Sequence, residues 1–138
     1  MAECCGGGNR LVYACSGGAD VGEIADRVAR KLVKTGFARP SCLAGVGGHV
    51  PGFVASATGD VVNIVIDGCS VACALKTLEQ VGADMTHFVL TDMGLKKGRT
   101  PVEDAVIDRI AETIRIKSSG RVEESPASTH DGCACGGC

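Results

Sequence analysis

Four cysteines, Cys15, Cys42, Cys69 and Cys73, stand beside glycine-rich turns that separate apolar runs from helical patterns. Thiolates are soft metal ligands and strong nucleophiles, so cysteines at such junctions point to a metal-thiolate site or a reactive-thiol site. Cys73 follows Cys69 by four residues, and a helix starting near Ser70 would turn both sulfurs toward one point. Helix N-termini and N–H-rich turns stabilise negative charge, which favours ionised thiols there. A second cluster, Cys133, Cys135 and Cys138, makes a Cys-x-Cys-x2-Cys among glycines, and Cys4-Cys5 precedes the first apolar run. The total of nine cysteines is odd, and no basic, apolar leader stands ahead of them. Metal binding or redox chemistry in a cytoplasmic protein is therefore expected before a disulfide framework.

The elements that must position these thiols alternate along the chain. Residues 11–14 read as a strand ended by Cys15-Ser16-Gly17-Gly18, and a helix follows with Asp20 and Glu23 spaced as a capping box. Val21, Ile24, Ala25, Val28 and Leu32 give that helix its apolar face, and Gly36 stops it. Residues 41–46 form a weaker strand candidate, and 49–57 a helical candidate despite Pro51 and Gly52. Residues 61–66 are β-branched and nearly continuously apolar, the pattern of a parallel strand buried on both faces. They run directly into Asp67-Gly68-Cys69. A helix carrying Ala74, Leu75, Leu78 and Val81, a strand at 87–91, and a final helix opened by Thr100-Pro101-Val102-Glu103 complete the alternation. The expected fold is a small three-layer α/β sandwich over 10–120, with a mostly parallel four-stranded sheet in the order 2-1-3-4. Residues 1–9 are expected to be a flexible arm, and 121–138 a disordered cysteine-rich tail.

In such a sheet, ligands bind off the carboxyl ends of the strands where the strand order reverses, here between the first and third strands. Cys15 and Cys69 end those strands, so with Cys73 three thiols converge there. Cys42 lies near the start of its strand candidate, which by geometry alone puts it away from that edge. Asp67 and Asp92 end strands at the same edge, where they could support the ligands, act as bases, or cap turns. His87 falls at a strand start, the opposite edge, and His49 in a loop, so both read better as surface or hydrogen-bonded residues than as ligands.

Ile66-Asp67-Gly68-Cys69 with Cys73-Ala74-Leu75-Lys76, preceded by Cys15-Ser16-Gly17-Gly18, Val28-Ala29-Arg30-Lys31-Leu32 and Cys42-Leu43-Ala44-Gly45-Val46-Gly47, resembles the DGC-domain family, regarded as zinc-binding. The resemblance spans about residues 11–94. It implies four chelating cysteines, matched one by one by Cys15, Cys42, Cys69 and Cys73, and so supports Cys42 where geometry does not.

Other chemistries fit less well. Net charge is -2, pI about 5.9, and the chain has no Trp, one Tyr and three Phe, which leaves no basic stripe or stacking platform for nucleic acid. Asn63 and Asp67 interrupt the strongest apolar run, so no membrane span is expected. A phosphatase-type loop would require an arginine six residues after Cys15, where Val21 stands, and Arg10 or Arg99 would have to substitute. Neither a dinucleotide fingerprint nor a P-loop occurs. The expectation is a zinc-thiolate protein in metal or sulfur handling, without a visible acid–base pair to make it an enzyme. An iron-sulfur site and a metal-free persulfide or disulfide thiol remain the alternatives. The tail thiols Cys133, Cys135 and Cys138 would serve as an exchangeable arm reaching the domain site or a protein partner.

Overall fold

The two most apolar runs of the chain become its two central strands. The computed structural model describes residues 8–119. β1 (Arg10–Ala14) and β3 (Val62–Asp67) pair in parallel from Arg10↔Val62 to Ala14↔Ile66. β2 (Arg39–Pro40) flanks β1, and β4 (Met85–Val89) flanks β3, giving an all-parallel sheet in the order β2-β1-β3-β4. Successive strand residues face opposite sides, and each side has its own helix layer. Val12, Ile64, Ile66 and Phe88 pack against α1 (Asp20–Lys34) and α5 (Asp104–Ser119). Leu11, Tyr13 and Val65 pack with buried residues of α2 (Leu43–Gly47), α3 (Pro51–Thr58) and α4 (Cys73–Glu79). The three layers and the strand order are those expected from the alternation. No helix among the described residues is long and apolar enough to cross a membrane.

Several element boundaries differ from expectation, and β4, at Met85–Val89 in place of 87–91, has His87 in its middle. The second strand is Arg39–Pro40, and residues 43–47 form α2, because the apolar residues Val46 and Leu43 pack on the Tyr13 side of the sheet as a helical turn. α4 starts at Cys73, three residues after Ser70, and α5 starts at Asp104, four after Thr100. The Thr100 hydroxyl donates to the Lys96 carbonyl and accepts from the Lys96 N–H, closing a loop in place of capping a helix. The Asp20–Glu23 capping box is also absent: Ala19 occupies the N-cap, and Glu23 pairs with Arg27 at 2.7 Å.

What sets the carboxyl edge of the sheet is direct backbone contact. A methyl group on Gly68 would stand 2.7 Å from the Val21 carbonyl carbon and oxygen, and one on Gly22 would stand 2.5 Å from the Gly17 oxygen. The loop after β1, the first turn of α1 and the loop after β3 thus interlock through main chain alone. Gly18, in the same loop, has open space at its Cβ position. Gly68→Ala or Gly22→Ala is expected to destabilise the protein by about 1–3 kcal/mol in a denaturant titration, the range of overpacking. Gly18→Ala should stay within about 0.5 kcal/mol of the native protein, and equal losses at all three positions would contradict the interlock.

Candidate thiol site

Cys15 follows β1 directly and keeps the ladder going by donating its N–H to the Ile66 carbonyl at 3.0 Å. Its Sγ accepts from the Gly68 N–H at 3.4 Å, a contact that the glycine interlock makes available. Cys69 sits in the loop after β3, half-buried, with the Lys97 ammonium 3.6 Å from its Sγ. Cys73 is the first residue of α4 and is exposed. These three line one small cleft of about 160 Å³, together with Asp67, Lys97 and the glycine loops. The cleft lies off the carboxyl ends of β1 and β3, where the strand order reverses. The route to it differs: Cys69 and Cys73 do not share a helix, because the loop between them turns through Ala72 at φ 56° before α4 begins.

Cys42 resolves the geometric objection against it. Since β2 ends at Pro40, Cys42 lies beyond the strand's carboxyl end, at the N-cap of α2, and its Sγ accepts from the Gly45 N–H at 3.3 Å. It lines a larger groove of about 920 Å³, which Cys15 also lines. Cys15 therefore stands between the two cavities. Among the described residues, two of the three non-glycine residues with positive φ adjoin these cysteines, Ser16 after Cys15 and Ala72 before Cys73. Such conformations cost on the order of 1 kcal/mol and persist where the surroundings fix them. Ser16 is fixed by its hydroxyl donating to Asp26 at 3.0 Å, and Asp26 is held in turn by Arg30 at 2.7 Å.

Asp67 is buried, 1% exposed, and its carboxylate accepts from the Ala74 and Leu75 N–H groups at 2.9 and 3.1 Å. It caps α4 from outside the helix and so fixes Cys73. The same carboxylate meets His87 Nε2 at 2.8 Å. His87 sits in mid-strand opposite Val65, two register positions before the partner of Asp67, which places both side chains on one face. Asp92 is exposed in the 3₁₀ turn Leu90–Met93 and lines neither cavity, and His49 is exposed between α2 and α3. Cys4, Cys5, Cys133, Cys135 and Cys138 lie outside the described residues.

Two residues that matter here have no motif to announce them. Lys97 reaches Cys69 from the loop after β4, and Asp20 secures that loop by accepting from the Gly98 N–H at 2.8 Å and the Thr100 N–H at 3.0 Å. The loop leaves the carboxyl end of β4, so the parallel topology already brings it to the cysteine edge. As the side chains stand, no three His, Cys, Asp or Glu groups among the described residues close on one point as a metal site would. The arrangement offers thiols with N–H or ammonium donors on three of the four sulfurs. Such donors stabilise thiolate, either as a ligand or as a nucleophile.

Comparison with known proteins gives two matches. The DGC domain family matches residues 11–114, which include all four cysteines. The anaerobic and virulence modulator AnvM of Pseudomonas aeruginosa is 40% identical over 88 residues, which cover 63% of this chain and 67% of that protein. No solved structure matches.

The Gly98 and Thr100 N–H groups, in that order, hold the Asp20 carboxyl below its ordinary value of 3.8. A carboxyl depressed by folding contributes its anchoring fully above the unfolded value and loses it as pH falls through the lower folded value. The amide resonances of Gly98 and Thr100 should therefore titrate together below pH 3.8, and Asp20→Asn should remove that titration. A midpoint above 3.8 would show that the carboxylate does not hold the loop.

Proposed function

The chain belongs to the DGC domain family, and from that premise we propose that it is a metal-thiolate protein, binding zinc through Cys15, Cys42, Cys69 and Cys73 and acting in metal or sulfur handling. The observation that carries this reading is the delivery of four thiols from three connections, those after β1, β2 and β3, to one edge of the sheet, three of them with hydrogen-bond donors on sulfur. A thiolate ligand set carries excess negative charge, and N–H groups and an ammonium offset it. The donor chemistry fits a soft ion. As the side chains stand no three of the sulfurs close on one point, and Cys42 and Cys73 are the exposed pair. When bound, zinc in an all-thiolate set would be held without an open position for water, which favours storage or transfer over hydrolysis. The residues around it have definite tasks: Gly68 and Gly45 donate to sulfur, Lys97 offsets charge at Cys69, and Asp67 orients the start of α4.

The unclosed arrangement and the Lys97–Cys69 contact support a second reading, a metal-free thiol that carries sulfane sulfur or cycles through a disulfide. The matched relative's name, an anaerobic and virulence modulator, suits either, because thiolates persist longest where oxidants are scarce.

Anaerobic purification of the full chain followed by metal analysis separates them. One zinc per chain, lost in Cys69→Ser and in Cys73→Ser while folding is retained, is the expected result. Iron with acid-labile sulfide would replace zinc by a cluster, and a metal-free protein that takes up no zinc would leave the thiol reading.

A further inference from the structure

The larger groove exists because the sheet's outer strand stops early. β2 pairs with β1 only at Leu11↔Arg39 and Val12↔Pro40. The Ser41 N–H donates to the Val12 carbonyl at 3.3 Å, and the chain then turns into α2. β1 runs on to Ala14, bonded on its other side to β3 by the Cys15 N–H on the Ile66 carbonyl. In a parallel ladder alternate residues aim their amides to opposite sides, so the N–H and carbonyl of Ala14 face away from β3. Ala14 lines the groove of about 920 Å³, whose walls are α1 and α2 and whose two thiols are Cys15 and Cys42. A short open strand edge, flanked by helices and by thiols, is suited to an extended segment with small side chains.

The chain itself carries such a segment. Residues 131–138 read Asp-Gly-Cys-Ala-Cys-Gly-Gly-Cys, with no side chain larger than aspartate. α5 ends at Ser119, and the fourteen residues from there to Cys133 span at most about 46 Å when extended. α5 packs against α1, with Lys31 meeting Asp108 at 2.9 Å, and α1 is a wall of the groove, so the groove lies within that length. Charge agrees as well. Lys34 is exposed on the groove wall with no carboxylate partner among the described residues, whereas 121–138 carries Glu123, Glu124 and Asp131 against the single Arg121.

We propose that the segment 131–138 docks in this groove as an added strand beside β1, with Asp131 toward Lys34, and brings the Cys-x-Cys-x2-Cys thiols to Cys15 and Cys42. The tail then serves as a loading or unloading arm of the same thiol site. This use of the tail rests on Cys15 and Cys42 being site thiols, while its test reads the position of the tail and not the metal.

The test uses the full chain, reduced and treated with a chelator, then oxidised at low protein concentration with diamide. Diamide takes two electrons and two protons from a pair of thiols and leaves one disulfide. Peptide mapping is expected to find a tail cysteine joined to Cys15 or Cys42 within one chain as the main product. Lys34→Glu should lower that product several-fold, and Asp131→Lys in the same chain should restore it. Hydrogen exchange at the Ala14 amide should follow the same order, slow, fast, slow. Tail cysteines joined only to one another, to Cys4 or Cys5, or between chains would overturn the proposal, as would a yield indifferent to Lys34. A reduced chain that takes up no zinc, yet gives this cross-link on oxidation, would refute the metal reading and leave the docking standing.

Discussion

Everything at the carboxyl edge of this sheet depends on two places where main chain touches main chain. Gly68 lies against the Val21 carbonyl, and Gly22 lies against Gly17. Side chains ordinarily hold helices about 8–10 Å from their neighbours, and here the absence of Cβ atoms removes that spacer at the first turn of α1. The consequence is chemical as well as steric. With the loops after β1 and β3 this close, the Gly68 N–H reaches the Cys15 sulfur, and Cys15 and Cys69 line the same cleft. A larger residue at either glycine would separate the thiols before it altered any of them.

Asp67 imposes the second constraint. A buried carboxylate is costly unless its oxygens are satisfied, and this one meets two helix N–H groups and an imidazole. Asp67 thereby links β3, α4 and β4 at one point. Asp67, Gly68 and Cys69 are consecutive yet have three unlike tasks: holding a helix start, permitting a close approach, and presenting a thiol. The tasks depend on one another, because the cap positions Cys73, the close approach positions Cys15, and Cys69 lies between them.

The strand order was legible because the apolar runs differ in kind. The run ending at Asp67 is buried on both faces and had to be central, and the α1 pattern left one continuous apolar face. The second strand was misread because Leu43 and Val46 are equally apolar in a strand or in one helical turn, and only the packing around Tyr13 decides between them. That shift is what brings Cys42 to the carboxyl edge, a placement the family resemblance implied and the spacing did not. Asp20 shows the opposite error: a capping-box spacing was present, but the carboxylate is used by the Gly98 and Thr100 amides, far along the chain. Long-range partners of this kind, including Lys97 on Cys69 and His87 on Asp67, leave no local pattern to read.

How the core closes bears on what the thiols are for. Among the described residues, both faces of the sheet are covered by buried apolar residues, seventeen on the α1–α5 side and eight on the other, and no cysteine is among them. Small domains that require zinc to fold lack such a core, and the metal's binding free energy then replaces it. A domain with its own core does not need its thiols for folding, so their placement at the carboxyl edge calls for another cause. The division among them is consistent with traffic through the site. Cys15 and Cys69 are half-buried and held by donors from neighbouring loops, while Cys42 and Cys73 are exposed at the two cavities. On the proposed function, an ion or a sulfur atom arriving at an outer thiol would meet less exposed sulfurs inward, of which Cys15 lines both cavities. If the four thiols hold zinc as proposed, a permanent structural site would be expected to bury all four alike, and the graded exposure fits exchange better.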